Sequence, residues 1–111
     1  MRAIQLSVRW GDILIKVLVV DDHDLVRMGL ARMLADVKGL LVVGEARTGE
    51  EALQSMRSLQ PNVVLMDVQM PGIGGVEATR KMAERYPQSK ILVVSAHEEE
   101  PFLSRILEAG A

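Results

Sequence analysis

Apolar and polar positions along the chain follow two alternating rhythms, short apolar runs and longer stretches at helical spacing. Ile15-Lys16-Val17-Leu18-Val19-Val20 is β-branched and almost unbroken, the pattern of a parallel strand buried on both faces, and it stops at Asp21-Asp22. From Asp24 to Asp36, Leu25, Val26, Met28, Leu30, Met33 and Leu34 recur at helical spacings, with Gly39 as a stop signal, which predicts a first helix. Leu40 to Ala46 predicts a second strand. Thr48-Gly49-Glu50-Glu51 reads as a capping box, whose hydroxyl and carboxylate satisfy free backbone donors at the head of a helix running to about Leu59. Pro61-Asn62 turns the chain into Val63-Val64-Leu65-Met66, a third buried strand that also ends at a carboxylate, Asp67. Met70-Pro71-Gly72 with Gly74-Gly75 predicts a flexible loop, then a helix from about Val76 to Tyr86 stopped by Pro87. Ile91 to Val94 predicts a fourth strand ending at Ser95, and Pro101 to Ala109 a fourth helix. This βαβαβαβα order, without repeat or linker, predicts an α/β fold with an open, doubly wound parallel sheet.

Composition narrows what such a domain does. A length of 111 residues suits one core, and 49% hydrophobic with 25% charged residues excludes a disordered segment. A net charge of −2 argues against direct nucleic-acid binding. Without cysteine there is no disulfide framework and no thiolate metal site. The apolar stretch Ile13 to Val20 is interrupted by Lys16 and falls far short of the ~20 residues a membrane helix needs. Arg9, Asp12 and Lys16 break up any secretion signal, so the expected location is cytoplasmic, with no membrane partner.

The chemistry collects at the carboxyl ends of the strands, where open parallel sheets bind their ligands: Asp21-Asp22, Asp67 and Ser95. If the first and third strands are neighbours, three carboxylates converge and repel one another unless a cation is present. Hard oxygen ligands suit Mg²⁺, which binds one or two carboxylates plus a phosphate. Asp67, alone at its strand end before a Gly-rich loop, is the better nucleophile toward phosphorus, and Ser95 can donate a hydrogen bond to a phosphoryl oxygen. Plainer readings exist for each residue. Asp-Asp before a helix can be a turn and N-cap, and a lone Asp after a strand is often merely solvated. His23 reads as facing solvent at a turn, Glu98-Glu99-Glu100 as a solvated helix start, and Met28, Met33, Met56, Met66 and Met82 as core filling. Three acids and a hydroxyl at the strand ends of one alternating pattern favour a site.

Two longer segments carry a resemblance: Val17-Leu18-Val19-Val20-Asp21-Asp22-His23-Asp24-Leu25-Val26-Arg27, and the run from Pro61 to Arg80 containing Met66-Asp67-Val68-Gln69-Met70-Pro71-Gly72. With Val93-Val94-Ser95-Ala96-His97 and Glu108-Ala109-Gly110-Ala111 in the expected order, residues 15 to 111 resemble the receiver domain of two-component response regulators. The Asp-Asp-His opening is similar to the subfamily whose receivers precede a LuxR-type helix-turn-helix, near the GacA/UvrY-type global activators. The resemblance implies a flavodoxin-like (CheY-like) fold in which Asp67 accepts a phosphoryl group from a sensor histidine kinase, a phosphoacceptor rather than an enzyme. It implies Mg²⁺ held directly by Asp22, through water by Asp21, and by Asp67 and the backbone carbonyl of Gln69. Ser95 matches the hydroxyl that moves onto the phosphoryl group and Ala96 the small residue that leaves room for it, while Gln69 and His97 flank the site.

The chain departs from the family pattern at both ends. The family continues past its Ala-Gly-Ala with a fifth strand, a switch aromatic, a Lys facing the phosphoryl group and a fifth helix. The expected fold is therefore strand order 2-1-3-4 without the fifth strand and helix, with residues 14–111 a C-terminally incomplete receiver. DNA would be reached only through a helix-turn-helix domain that the chain lacks, and the fourth strand becomes an exposed edge that invites self-association. Residues 1–13 read as an N-terminal extension, with Leu14 standing where an initiator Met is expected. There Ile4, Leu6, Val8 and Trp10 alternate with polar residues as in a strand, yet the extension should be peripheral and dispensable. Two other classes compete. A haloacid-dehalogenase-like phosphatase would use Asp22 as nucleophile and Asp24 as acid, but leaves Asp67 unexplained. A phosphorylation-independent interaction module would keep the fold without the switch.

Overall fold

The computed structural model describes residues 14–67 and 74–94. Seven elements alternate: β1 (Ile15–Val20), α1 (Asp24–Ala35), β2 (Leu40–Ala46), α2 (Gly49–Leu59), β3 (Val63–Asp67), α3 (Gly74–Arg85) and β4 (Lys90–Val94). All strand pairs are parallel, in the order β2-β1-β3-β4. Strands and helices thus follow the sequence reading closely. Asp36 is the cap that ends α1 rather than part of it, α3 begins two residues before Val76, and Asp67 is still paired as the last residue of β3. The expected fourth helix and the strand-like pattern of residues 1–13 lie outside the described residues.

The β-branched runs are apolar on both sides because each side is covered. On one side Leu18, Val20, Val64, Met66 and Ile91 meet Ala52 and Met56 of α2 and Ala78 and Met82 of α3. On the other, Val17 and Val19 meet Ala31 of α1, with Leu30, Leu34, Leu40, Val42, Val63 and Leu65 around them. The helices therefore lie on both faces of the sheet, α1 opposite α2 and α3.

Two groups of apolar residues do not behave as their spacing suggests. Met56, Met66 and Met82 are fully buried, but Met28 and Met33 of α1 are 57% and 67% exposed, and Leu25 and Val26 are exposed as well. The buried stripe of α1 runs instead through Arg27, Leu30, Ala31 and Leu34, an i, i+3, i+4, i+7 set that includes a cation. The many apolar residues of this helix fit a stripe in more than one rotation, and the one buried also brings Arg27 to Asp21, Asp24 and Glu45.

β2 carries an irregularity. Val17 partners Val42 but Leu18 partners Gly44, so Val43 is an extra residue, a β-bulge. Leu40 and Val42 therefore face α1, whereas Gly44 and Ala46 face the α2 side. A Cβ built on Gly44 would lie 2.7 Å from Leu59 Cδ1, so a larger residue there would push the Leu59 side chain aside. Glu45, between Gly44 and Ala46, points back to α1, where Arg27 binds it.

The local devices are those predicted, with one difference. Thr48 Oγ1 accepts the Glu51 N–H at 3.0 Å, but the Glu51 carboxylate accepts the N–H of Arg47, one residue before the cap. At the other end of the sheet Asn62 ties three strands together. Its side-chain oxygen accepts the Lys16 N–H, its own N–H donates to the Lys16 carbonyl, and its carbonyl accepts from Lys90.

Candidate functional site

Strand register builds the site. Val20 is the partner of Met66, so the residues that follow, Asp21 and Asp67, stand side by side at the end of the sheet. The Asp21 N–H still bonds the Ala46 carbonyl at 3.0 Å, which holds the end of β1 in the ladder until the carboxylate has emerged. One donor atom each from Asp21, Asp22, His23 and Asp67 falls within 4.8 Å of all the others. The three acids predicted to meet do meet. Gln69, Ser95, Ala96 and His97 lie outside the described residues.

Asp21 is the fixed member, its side chain 9% exposed. Its Oδ1 accepts the His23 backbone N–H at 2.8 Å, a turn that ends β1 and starts α1, and lies 3.2 Å from His23 Nδ1. The imidazole also stands 3.1 Å from Asp22 Oδ1, an atom that is buried and makes no hydrogen bond. The hydrogen bond to Asp21 and the charge of Asp22 raise the His23 pKa above its usual 6.5, and Asp67 adds to the effect. His23 occupies the N-cap position of α1 but gives the helix no side-chain bond. It is exposed, as the turn reading expected, yet its ring nitrogen is turned toward the acids.

Arg27 braces the site from α1. Its guanidinium donates to the Asp21 carbonyl at 3.1 Å, to Asp24 Oδ1 at 2.9 Å and to Glu45 Oε1 at 3.0 Å, with the side chain only 10% exposed. Burial works against its charge, but the bonds to Asp24 and Glu45 outweigh it and the pKa rises. In the sequence Arg27 belongs to the segment that carries the resemblance and has no role of its own assigned. Its signal was a cation on the i, i+3, i+4, i+7 stripe of a helix.

Asp24 turns away from the acid cluster toward Arg27 and Arg47, 3.3 Å from the latter. The bond from Arg27 and the charge of Arg47 hold its carboxyl below the usual range. Asp24 is thus paired with two arginines and lies outside the acid cluster, which is not where the phosphatase reading would need its general acid.

Buried Asp22 Oδ1 without a hydrogen bond, among carboxylates at ligand spacing, is an arrangement that a divalent cation fits. The donor atoms are those of hard-cation sites. Residues 17–111 match the response regulator receiver domain family. The chain belongs to that family.

The receiver is 63% identical over 98 residues to the response regulator GacA of Pseudomonas syringae and 51% identical to the response regulator UvrY of Escherichia coli. Each alignment takes in 88% of this chain but only 46% and 45% of the relative, so the receiver spans about half the length of the curated proteins it matches. Among solved structures it superposes on the receiver domain of the Mycobacterium tuberculosis regulator NarL with a TM-score of 0.84 at 34% identity, covering 89% of this chain and 80% of that one. A LuxR-family regulator from Aurantimonas gives 0.83 at 37%, over 88% and 70%. The receiver thus has the CheY-like, flavodoxin-like fold, and its acid cluster sits where that fold places ligands, at the carboxyl end of the strands next to the switch in winding between β1 and β3. No helix among the described residues is long and apolar enough to cross a membrane.

Proposed function

We propose that the receiver accepts a phosphoryl group on Asp67 from a sensor histidine kinase in the cytoplasm. In this reading it controls transcription through a separate output domain. The observation that carries this reading is the convergence of Asp67 with Asp21 and Asp22 within 4.8 Å at the end of the parallel sheet. A lone Asp at a strand end is merely solvated, whereas one beside two further carboxylates sits where a bound cation would offset both its own charge and that of an incoming phosphoryl group.

The residues that would hold Mg²⁺ are Asp21, Asp22 and Asp67, with the backbone carbonyl of Gln69. Bound there, Mg²⁺ neutralises charge on the phosphoryl oxygens. A carboxylate oxygen of Asp67 attacks phosphorus in line with the bond to the donor, that bond breaks, and an acyl phosphate forms on Asp67. Ser95 donates its hydroxyl to a phosphoryl oxygen, Ala96 leaves room for it, and Gln69 and His97 flank the group and set how fast water removes it. Arg27 touches no reacting atom and positions Asp21 through its carbonyl.

Acetyl phosphate labelling tests the reading. The expected result is acid-stable, alkali-labile label on the parent with Mg²⁺, none with EDTA and none on Asp67→Asn. Label that persists on Asp67→Asn places the acceptor elsewhere. A folded, Mg²⁺-binding parent that takes no label supports a phosphorylation-independent interaction module instead.

A further inference from the structure

The three carboxylates make an all-oxygen donor set, the kind that suits a hard cation and discriminates weakly against others. His23 adds a nitrogen donor, and the structure places it at ligand distance. Nδ1 stands 3.1 Å from Asp22 Oδ1 and 3.2 Å from Asp21 Oδ1, and all four donor atoms lie within 4.8 Å of one another. Two donors each ~2.0–2.2 Å from one ion, at angles between octahedral and tetrahedral, stand ~3.0–3.5 Å apart. The two separations from Nδ1 fall within the range of donors that share an ion.

Two further observations point the same way. Asp22 Oδ1 is buried and lacks a hydrogen bond, although the ring nitrogen faces it at 3.1 Å. The His23 ring is 69% exposed, does not cap α1, and has Asp21 and Asp22 of the cluster as its polar partners. Backbone N–H and ring Nδ1 both reach the same Asp21 oxygen, which holds the ring against the acids.

We infer that His23 is a fourth ligand of this site and gives it a preference for borderline divalent cations such as Co²⁺ and Zn²⁺ over Mg²⁺. Mg²⁺ uses the oxygens alone; a borderline cation takes carboxylates and imidazole together. Four protein ligands close a tetrahedral site, so a cation held this way leaves no open position for a phosphoryl oxygen. This inference rests on the cation reading of the acid cluster given above, and the test separates the two.

The test titrates the 111-residue chain and its His23→Gln and Asp22→Ala variants with Co²⁺, followed by visible absorption. Hyperfine-shifted imidazole protons are read in the same Co²⁺ complexes, and Mg²⁺ binding is measured from its effect on the melting temperature. The expected result is that His23→Gln weakens Co²⁺ at least about tenfold, removes the shifted imidazole signals and leaves Mg²⁺ affinity within about twofold, while Asp22→Ala weakens both cations. Co²⁺ affinity unchanged in His23→Gln, or Co²⁺ and Mg²⁺ weakened alike, overturns the inference while leaving the acid cluster a cation site. Cation binding undiminished in Asp22→Ala, or no binding by the parent, overturns both readings.

Discussion

Replacing Arg27 by Met keeps the aliphatic stem of a nearly buried side chain and removes only its charged head. The head makes three bonds of unequal worth. The one to the Asp21 carbonyl, at 3.1 Å, is buried, and a bond from a charged donor to a buried acceptor contributes ~1.5–3 kcal/mol. The partners Asp24 and Glu45 are 58% and 39% exposed, so water competes for them and each pair contributes only ~0.2–1 kcal/mol. Against these stands the relief of no longer burying a cation, but that relief is small while both carboxylates remain in place and hydrated. The net expectation for Arg27→Met is a loss of about 2 kcal/mol, dominated by the orphaned Asp21 carbonyl. Urea unfolding should show a midpoint lowered by about 1 M with an unchanged slope. Arg27→Lys, with a point charge in place of a fork, should fall between the two. Because the released carbonyl belongs to Asp21, Arg27→Met should also show a smaller Mg²⁺-dependent rise in melting temperature than the parent. Stability within about 0.5 kcal/mol of the parent would refute the assignment of Arg27 as a brace.

Four further substitutions test other parts of the argument. Asp22→Asn should raise the melting temperature in EDTA by about 3 °C, by relieving carboxylate repulsion, and abolish its response to Mg²⁺; thermal melts that still respond to Mg²⁺ would count against the site. Met56→Ala should cost about 2–4 kcal/mol and Met33→Ala less than about 0.5, since one side chain is fully buried and the other 67% exposed; equal losses in urea would mean that α1 is rotated from the orientation described. Asp24 has a folded pKa below its unfolded one, so its contribution is present above the unfolded value and fades as pH falls through the folded one. Asp24→Asn should therefore be less stable than the parent near neutrality, and the gap should close in acid; a gap constant across the acid range would deny the pairing with Arg27 and Arg47.

Much of this was legible in the chain because strand burial and strand ends leave strong marks. Continuous β-branched runs identified β1 and β3, and carboxylates at their ends identified Asp21, Asp22 and Asp67, whose meeting required only that β1 and β3 be neighbours. The rotation of α1 was not legible. Leu25, Val26, Met28 and Met33 make that helix apolar nearly all round, and spacing alone cannot say that a stripe containing Arg27 is the buried one. The placement of the His23 ring was hidden for a related reason. An imidazole on an exposed turn looks solvated until the Asp21 turn is seen to bring its ring nitrogen back to the acids.

The extra residue in β2 has a consequence for insertions and deletions. In β1 or β3, losing one residue would exchange the two cores, sending every side chain beyond the gap to the wrong helix layer. At Val43 the same loss is silent. Val42 and Gly44 are already the partners of successive residues in β1, so excising the residue between them leaves a regular six-residue strand with Leu40, Val42 and Glu45 toward α1 and Gly44 and Ala46 toward α2. A chain lacking Val43 should fold with Glu45 still beside Arg27, which makes the middle of this edge strand a place where homologous chains can differ in length while the acids beyond β1 keep their positions.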